Sequence, residues 1–374
     1  MTRKSRGSGS GKKEKRYFDY TLLFVIIFLV GFGLVMLYST SYYNAQLKIG
    51  DPAYYVKKQF FASLLGFAGM FVMAGTDYHI WLKLSWLLYL ISLTLCLAVI
   101  FVGAELNGSA RWLKLGPLSF QPSELAKLAV ILFFSATISI ASKKMGNFRT
   151  LAKLLFIAAP LIGLVAFSNL STAIIILGIF VCLVFVASPK YLQFIVPGVL
   201  IAATGFLYIM AVPYRRQRLQ IWFHPEQYEK GYQTLQGLYA IGSGGLFGKG
   251  LGESMQKLGF LPEAQNDMIF SIICEELGLF GAVCVILLFM LMIWRFMVIA
   301  NNAKDLSGAL IVVGIMAHIA IQVILNIAVV TNSIPNTGVT LPFISYGGTS
   351  VAILLTEMGL ALSVSRSIRM ERVI

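Results

Sequence analysis

Long apolar runs alternate with short polar interruptions along almost the whole chain. They fall near 20–41, 58–76, 81–103, 123–142, 151–167, 170–188, 191–212, 268–296, 306–330 and 341–365. A helix that crosses a bilayer needs about 20 mainly apolar residues, so each run is long enough, or nearly so, to be a span. The fifth and sixth runs meet in a tight hairpin around Ser168 and Asn169. Two connections are long and polar, 104–121 and 213–267. The pattern predicts an all-α integral membrane protein of about ten transmembrane helices, with a large extracytoplasmic loop between helices 7 and 8.

Basic residues orient these spans. Residues 1–17 carry Arg3, Lys4, Arg6, Lys12, Lys13, Lys15 and Arg16 around a Gly-Ser run, which reads as a disordered basic tail. The run after it is too long for a signal-peptide core and reads as a retained first helix. With that tail in the cytoplasm, the inner loops hold Lys143, Lys144, Arg149 and Lys153, then Lys190, then Arg295 and Lys304. An even number of spans returns the C-terminal tail, 367–374, to the cytoplasm. Residues 18–366 form one membrane domain with no inserted soluble domain. The 213–267 loop then lies outside and still carries Arg215, Arg216, Arg218, Lys230, Lys249 and Lys257. Cations kept on the outer face run against the orientation rule and call for a function.

Composition agrees. Of 374 residues, 58% are hydrophobic and 12% charged, against roughly 45–50% and about 25% in soluble domains. The net charge of +14 suits cytoplasmic loops and anionic headgroups, and no nucleic-acid partner is implied. Cys96, Cys182, Cys274 and Cys284 each sit in an apolar run without a paired Cys or spaced His, so no metal ligands are read.

Four places interrupt the apolar pattern with chemistry. From Asn107 to Lys127, Pro122 and Ser123 start a helix, Glu124 sits near its positive end, and Lys127 follows three residues later on the same face. From Ala240 to Gly281, glycines surround Lys249, but Ser243 and Gly250 stand where a phosphate-binding loop needs Gly and Ser or Thr. Nucleotide binding is therefore not implied, although backbone amides beside cations can hold a diphosphate. Asp267 ends that loop and opens a helix, where it is either an N-cap or an ionised general base. Glu275 and Glu276 lie roughly 12 Å deeper, too far to pair with it, and with Glu357 they are carboxylates inside spans. From Thr331 to Ser350, Pro335, Pro342, Gly338, Gly347 and Gly348 break the apolar run, which predicts a cavity wall at the start of the last helix.

The stretches "GLVMLYSTS" at Gly33–Ser41, "NGSARWLKLG…QPSELAK", "IGSGGLFGKGLG", "LPEAQNDMIF" and "TGVTLPFISYGGTS" occur in this order. The chain thereby resembles the SEDS family (shape, elongation, division and sporulation), whose members include FtsW, RodA and SpoVE, over about Phe18 to Arg366. The last stretch looks closer to FtsW and SpoVE than to RodA. Met268 stands where the family usually has an aromatic residue, and Asn169 where it often has an acidic one. The resemblance implies ten helices in the bacterial cytoplasmic membrane, both termini cytoplasmic, and polymerisation of lipid II by a peptidoglycan glycosyltransferase. It maps the family's essential carboxylate onto Asp267.

The candidate substrate-binding residues are Arg111, Trp112, Lys114, Gln121, Glu124 and Lys127; Arg215, Arg216 and Lys249; and Pro342, Ser345, Tyr346, Gly347 and Gly348. The implied partners are lipid II, undecaprenyl-diphosphate-linked glycan and a class B penicillin-binding protein transpeptidase. No cofactor is required by the sequence; a divalent cation such as Mg or Mn is compatible with the chemistry, but no ligand cluster demands one. A flippase for lipid-linked precursors also fits broken helices and intramembrane carboxylates, and a non-catalytic scaffold that recruits division enzymes needs no catalytic Asp.

Overall fold

In lipid, backbone amides must bond within their own segment, so the apolar runs become helices. The computed structural model describes residues 17–106, 109–115 and 118–368. The expected basic tail lies outside these residues except for Tyr17, as do residues 369–374 of the C-terminal tail. In order, the helices are α1 (Tyr20–Ile49), α2 (Tyr54–Gly75), α3 (Tyr78–Val102), α4 (Pro122–Ala141), α5 (Phe148–Ser168), α6 (Leu170–Ala187), α7 (Ile195–Ala211), α8 (Pro213–Phe223), α9 (Tyr232–Ser243), α10 (Ile269–Asn302), α11 (Leu306–Val330) and α12 (Gly348–Arg366). Among the described residues, 9 helices are long and apolar enough to cross a membrane, and a shorter apolar helix, α7, fills the remaining expected span. The Tyr17 amide donates to the Ile368 carbonyl at 3.1 Å, so the two described ends of the chain meet at one end of the bundle.

Three features depart from the expected pattern. The 104–121 connection is not a bare loop: β1 (Ala104–Leu106), β2 (Ser109–Leu115) and β3 (Leu118–Phe120) form an antiparallel sheet in that order. The 213–267 connection contains α8 and α9. The last span starts at Gly348 rather than near 341, because Pro342 cannot donate to a helix ladder and Phe343 is held at φ 64°.

The core lies where α11 packs against α4, α6, α10 and α12. α2 lies along α12, with small residues at the seam: a Cβ on Gly66 would stand 2.8 Å from Leu355 Cδ1, and one on Gly69 2.5 Å from Thr356 Oγ1. Van der Waals contact at such close approach drives helix association in lipid. At the terminal end, Asp19 caps α1 by accepting from the Leu22 amide at 2.8 Å and takes two donors from Arg295 of α10, the shorter at 2.7 Å. Arg295 thus has a structural partner as well as the orienting charge expected of it.

Candidate functional site

At the opposite end the helices leave a cavity of about 850 Å³. Its wall is assembled from the start of α4, the sheet residues Arg111, Trp112, Ser119 and Phe120, the α5–α6 turn, α2, the segment 338–347 and the start of α12. Asp267, Glu263 and Asn266 close it from the loop before α10. Thr349 Oγ1 donates to the Ser119 carbonyl at 2.8 Å and ties the sheet to α12. Arg111 Nε donates to the Ser168 carbonyl at 3.2 Å and ties it to the α5–α6 turn, where Asn169 caps α6 through Thr172.

The segment 338–347 has no ladder of its own, so its polar backbone needs partners. Buried amide side chains supply them. Asn326 Nδ2 donates to the Val339 carbonyl at 2.7 Å, and Gln322 Nε2 to that of Thr340 at 3.0 Å. Gln59 of α2 donates to the Ser345 carbonyl at 3.2 Å and accepts from the Gly347 amide at 3.1 Å. Ser345 Oγ accepts from the Leu341 amide at 2.8 Å. The break in the apolar pattern is therefore a built wall.

Asp267 stands beside that wall. Asn326 Nδ2 also donates to the Asp267 carbonyl at 2.8 Å, so one amide holds the aspartate's backbone and the 338–347 segment together. The capping alternative fails: Met268 is the N-cap of α10, and no side chain caps that helix. The Asp267 carboxylate instead points to the cavity, 7% exposed, with Gln233 Nε2 of α9 at 3.5 Å from Oδ1. The Cβ position of Gly338 lies 3.8 Å from Oδ2, and the missing side chain leaves that face open. Burial raises the pKa of Asp267 from 3.8 to about 7; Glu263 adds to the rise, and Arg218 and Gln233 oppose it. Desolvation thus outweighs the groups that favour the ionised form.

The cavity gathers Arg111, Trp112, Gln121, Glu124, Lys127, Ser345, Tyr346, Gly347 and Gly348 around Asp267. Glu124 and Lys127 form the expected pair at 3.0 Å, and both are buried. Three candidates fall elsewhere. Arg216 is exposed on α8 and Pro342 is buried behind the wall; neither lines the cavity. Lys249 is held by Glu275 at 2.7 Å. The side chains of Lys114 and Arg215 lie outside the described residues.

The glycine-rich loop has a different task from the diphosphate cradle allowed by its sequence. α10 is broken at Gly278, φ 69° and ψ −168°. The amides of Lys249 and Gly250 donate, each at 3.0 Å, to the carbonyls of Glu275 and Glu276 that the break exposes. A Cβ on Gly248 or Gly244 would collide with the carbonyls of Glu276 and Cys274, so only glycine admits this contact. Glu275 also accepts from Ser254 at 2.5 Å, while Glu276 takes Lys257 and Ser39, both at 2.7 Å. The two intramembrane glutamates fasten the loop to α10, consistent with a role in helix contacts.

Several residues of the site were not singled out from the sequence: Lys58, Gln322 and Glu263 in the wall, and Gln59, Gln233 and Asn326 behind it. A signal existed for two of them. Gln322 and Asn326 follow His318 at spacings of four in an otherwise apolar span, which places the three on one face. Among the described residues, no group of three or more His, Cys, Asp or Glu side chains could hold a metal ion.

This fold and sequence have known counterparts. A family model described as cell cycle protein, for FtsW, RodA and SpoVE, matches residues 20–370. Stage V sporulation protein E of Bacillus subtilis (strain 168) is 39% identical over 355 residues, 93% of this chain and 97% of that one. A probable peptidoglycan glycosyltransferase FtsW of Geobacter sp. (strain M18) is 35% identical over 359 residues, 94% and 98% of the two chains. A chain of a peptidoglycan synthase complex, whose structure concerns the coordination of polymerization and crosslinking, superposes with TM-score 0.79 at 28% identity, covering 94% of this chain and 99% of that chain. The Rod shape determining protein RodA of Thermus thermophilus does so with TM-score 0.67 at 29% identity, covering 94% and 98%.

Proposed function

The chain belongs to the FtsW, RodA and SpoVE family of cell cycle proteins, and from that premise we propose that it is a peptidoglycan glycosyltransferase that polymerises lipid II at the outer face of the cytoplasmic membrane. The observation that carries the proposal is the placement of Asp267. One buried carboxylate, brought to a pKa of about 7, faces a large cavity whose wall also presents Lys58, Arg111 and Lys127. A general base works best when its pKa is near the operating pH.

In this reading the sugar diphosphate of the growing glycan is the donor and the 4-hydroxyl of lipid II is the acceptor. Asp267 takes the hydroxyl proton as the oxygen attacks the anomeric carbon, and the undecaprenyl diphosphate leaves with the bonding pair. Cations on the wall stabilise the charge developing on the diphosphate. Lys127 suits this task, since Glu124 and Gln322 hold its ammonium in place. Lys249 is not part of the set, because it does not line the cavity.

The basic loops support a cytoplasmic location for both termini, which puts the cavity outside. The strands made there need crosslinking, and the partner we infer is a class B penicillin-binding protein transpeptidase. Its addition is expected to raise polymerisation by the purified chain; unchanged rates across candidate transpeptidases would remove it.

Fluorescent lipid II and purified protein in lipid nanodiscs test the reaction. The wild type is expected to make long glycan strands. Asp267→Asn, which keeps the volume and the backbone contact to Asn326, is expected to lower the rate at least about 100-fold, within the range that general-base catalysis supplies. Flipping of lipid II across vesicles without polymerisation would establish the transporter instead. Activity in neither assay would leave a scaffold.

A further inference from the structure

A second set of buried ionisable groups lies behind the cavity and takes no part in the reaction as drawn. His318, halfway along α11, is 1% exposed, and Glu357, halfway along α12, is 0% exposed. Both Glu357 carboxylate oxygens lie 3.0 Å from His318 Nδ1. His318 Nε2 lies 3.0 Å from Gln322 Oε1, and Lys127 Nζ donates to that same oxygen at 3.2 Å. Neither His318 nor Glu357 lines the cavity, whereas Gln322 and Lys127 do. A buried carboxylate and imidazole inside spans are costly, which points to a use beyond packing.

The hydrogens of this chain are fixed by its partners. Lys127 can only donate, and the Thr340 carbonyl can only accept. Gln322 must therefore turn its oxygen to Lys127 and its amide nitrogen to Thr340, at 3.0 Å. The same oxygen faces His318, so His318 Nε2 carries a hydrogen. The gap between Nδ1 and Glu357 then holds one proton, on the ring or on the carboxyl, and the pair is neutral as a whole in either case. Glu124 and Lys127 form a second neutral pair. Gln322 joins the two.

We propose that His318, braced by Glu357, is a positioning residue that acts through Gln322 to fix the Lys127 ammonium at the cavity wall. The proposal rests on the glycosyltransferase reading for its assay. The ring holds Gln322 in the one orientation that presents its oxygen to Lys127 and its nitrogen to the 338–347 segment. Without that donor, Lys127 and Thr340 still select which way Gln322 faces, but the third contact that holds it there is gone, and the ammonium's neutral acceptor is less firmly placed.

The test is a double-mutant cycle in nanodiscs. His318→Phe with Glu357→Leu removes both partners and leaves no buried charge unpaired, so the fold is expected to be retained. The turnover number is expected to fall by about tenfold, the range of one hydrogen bond to a charged group. In a Lys127→Met background, with Glu124→Gln added so that no buried carboxylate is left without its cation, the same pair of changes is expected to cost nothing more, because its target is already gone. His318→Gln keeps a donor near the Nε2 position and is expected to rescue activity to within a few-fold of wild type. Gln322→Met cuts the chain between the two pairs; it is expected to reproduce the loss and its absence of additivity, and it serves if the pair deletion does not fold. Full activity of the pair deletion, or losses that multiply in the Lys127→Met background, would overturn the proposal and leave a packing role. If the wild type binds undecaprenyl diphosphate but does not polymerise, the glycosyltransferase reading falls. The same cycle, read as affinity for undecaprenyl diphosphate, then decides the coupling by the same criterion.

Discussion

The pH dependence of polymerisation exposes the Asp267 assignment most directly. Burial lifts its pKa from 3.8 to about 7, a preference for the neutral form of about 4 kcal/mol. The sign follows from the role. A base must be ionised to accept a proton, so activity is lost as pH falls through the raised value. About one tenth of the molecules are competent at pH 6, half at pH 7 and nine tenths at pH 8. Initial rates on fluorescent lipid II well below saturation, which report the free enzyme, should therefore rise about tenfold between pH 6 and 8. Two neighbours make the assignment specific. Glu263 raises the value and Arg218 lowers it. Glu263→Gln should move the rising limb to lower pH, and Arg218→Gln to higher pH. A rate that stays flat from pH 6 to 8, or limbs that fail to move in opposite directions, would refute the reasoning that burial tunes this carboxylate for its work.

Further outcomes concern the scaffold. Lys257→Met leaves Glu276 buried without its cation, which should destabilise the protein by about 3–5 kcal/mol in thermal unfolding; Lys249→Met, whose side chain is 34% exposed, should cost less. Gly278→Ala places a Cβ against the glycine loop at φ 69°, so the loop should detach from α10 and become open to trypsin at Lys249 and Lys257. For topology, Phe247→Cys, at an 81% exposed position, should react with an impermeant thiol reagent on intact cells, and a cysteine at position 10 should not; the reverse pattern would place the cavity in the cytoplasm.

The spans were legible because lipid imposes one rule on every residue in them. An apolar run of sufficient length must be helical, whatever it packs against. The sheet over 104–120 and the helices α8 and α9 were not, because outside the hydrocarbon the backbone has water as an alternative partner and the pattern loosens. Asp267 was legible as a place but not as a state. Its position at the mouth of a helix argued for an ionised carboxylate, whereas its burial between Gln233, Gly338 and the cavity wall raises its pKa to about 7.

The cations show the same limit from the other side. Lys127 and Lys249 look alike in sequence, each a cation near glycine or proline. Their acids separate them. Glu124 sits one helical turn before Lys127, so the pair can form locally and leave the ammonium at the cavity. Glu275 lies 26 residues after Lys249, inside a different element, and only the break at Gly278 brings it near. The break frees two carbonyls, the loop amides fill them, and the lysine is carried to Glu275 as a consequence. A local pair can be read from spacing because helix geometry fixes it. A pair created by a broken helix cannot, since the break itself depends on glycines whose partners lie elsewhere in the chain. The part of the site that rests on local geometry was therefore open to the sequence, and the part that rests on long-range backbone repair had to be seen.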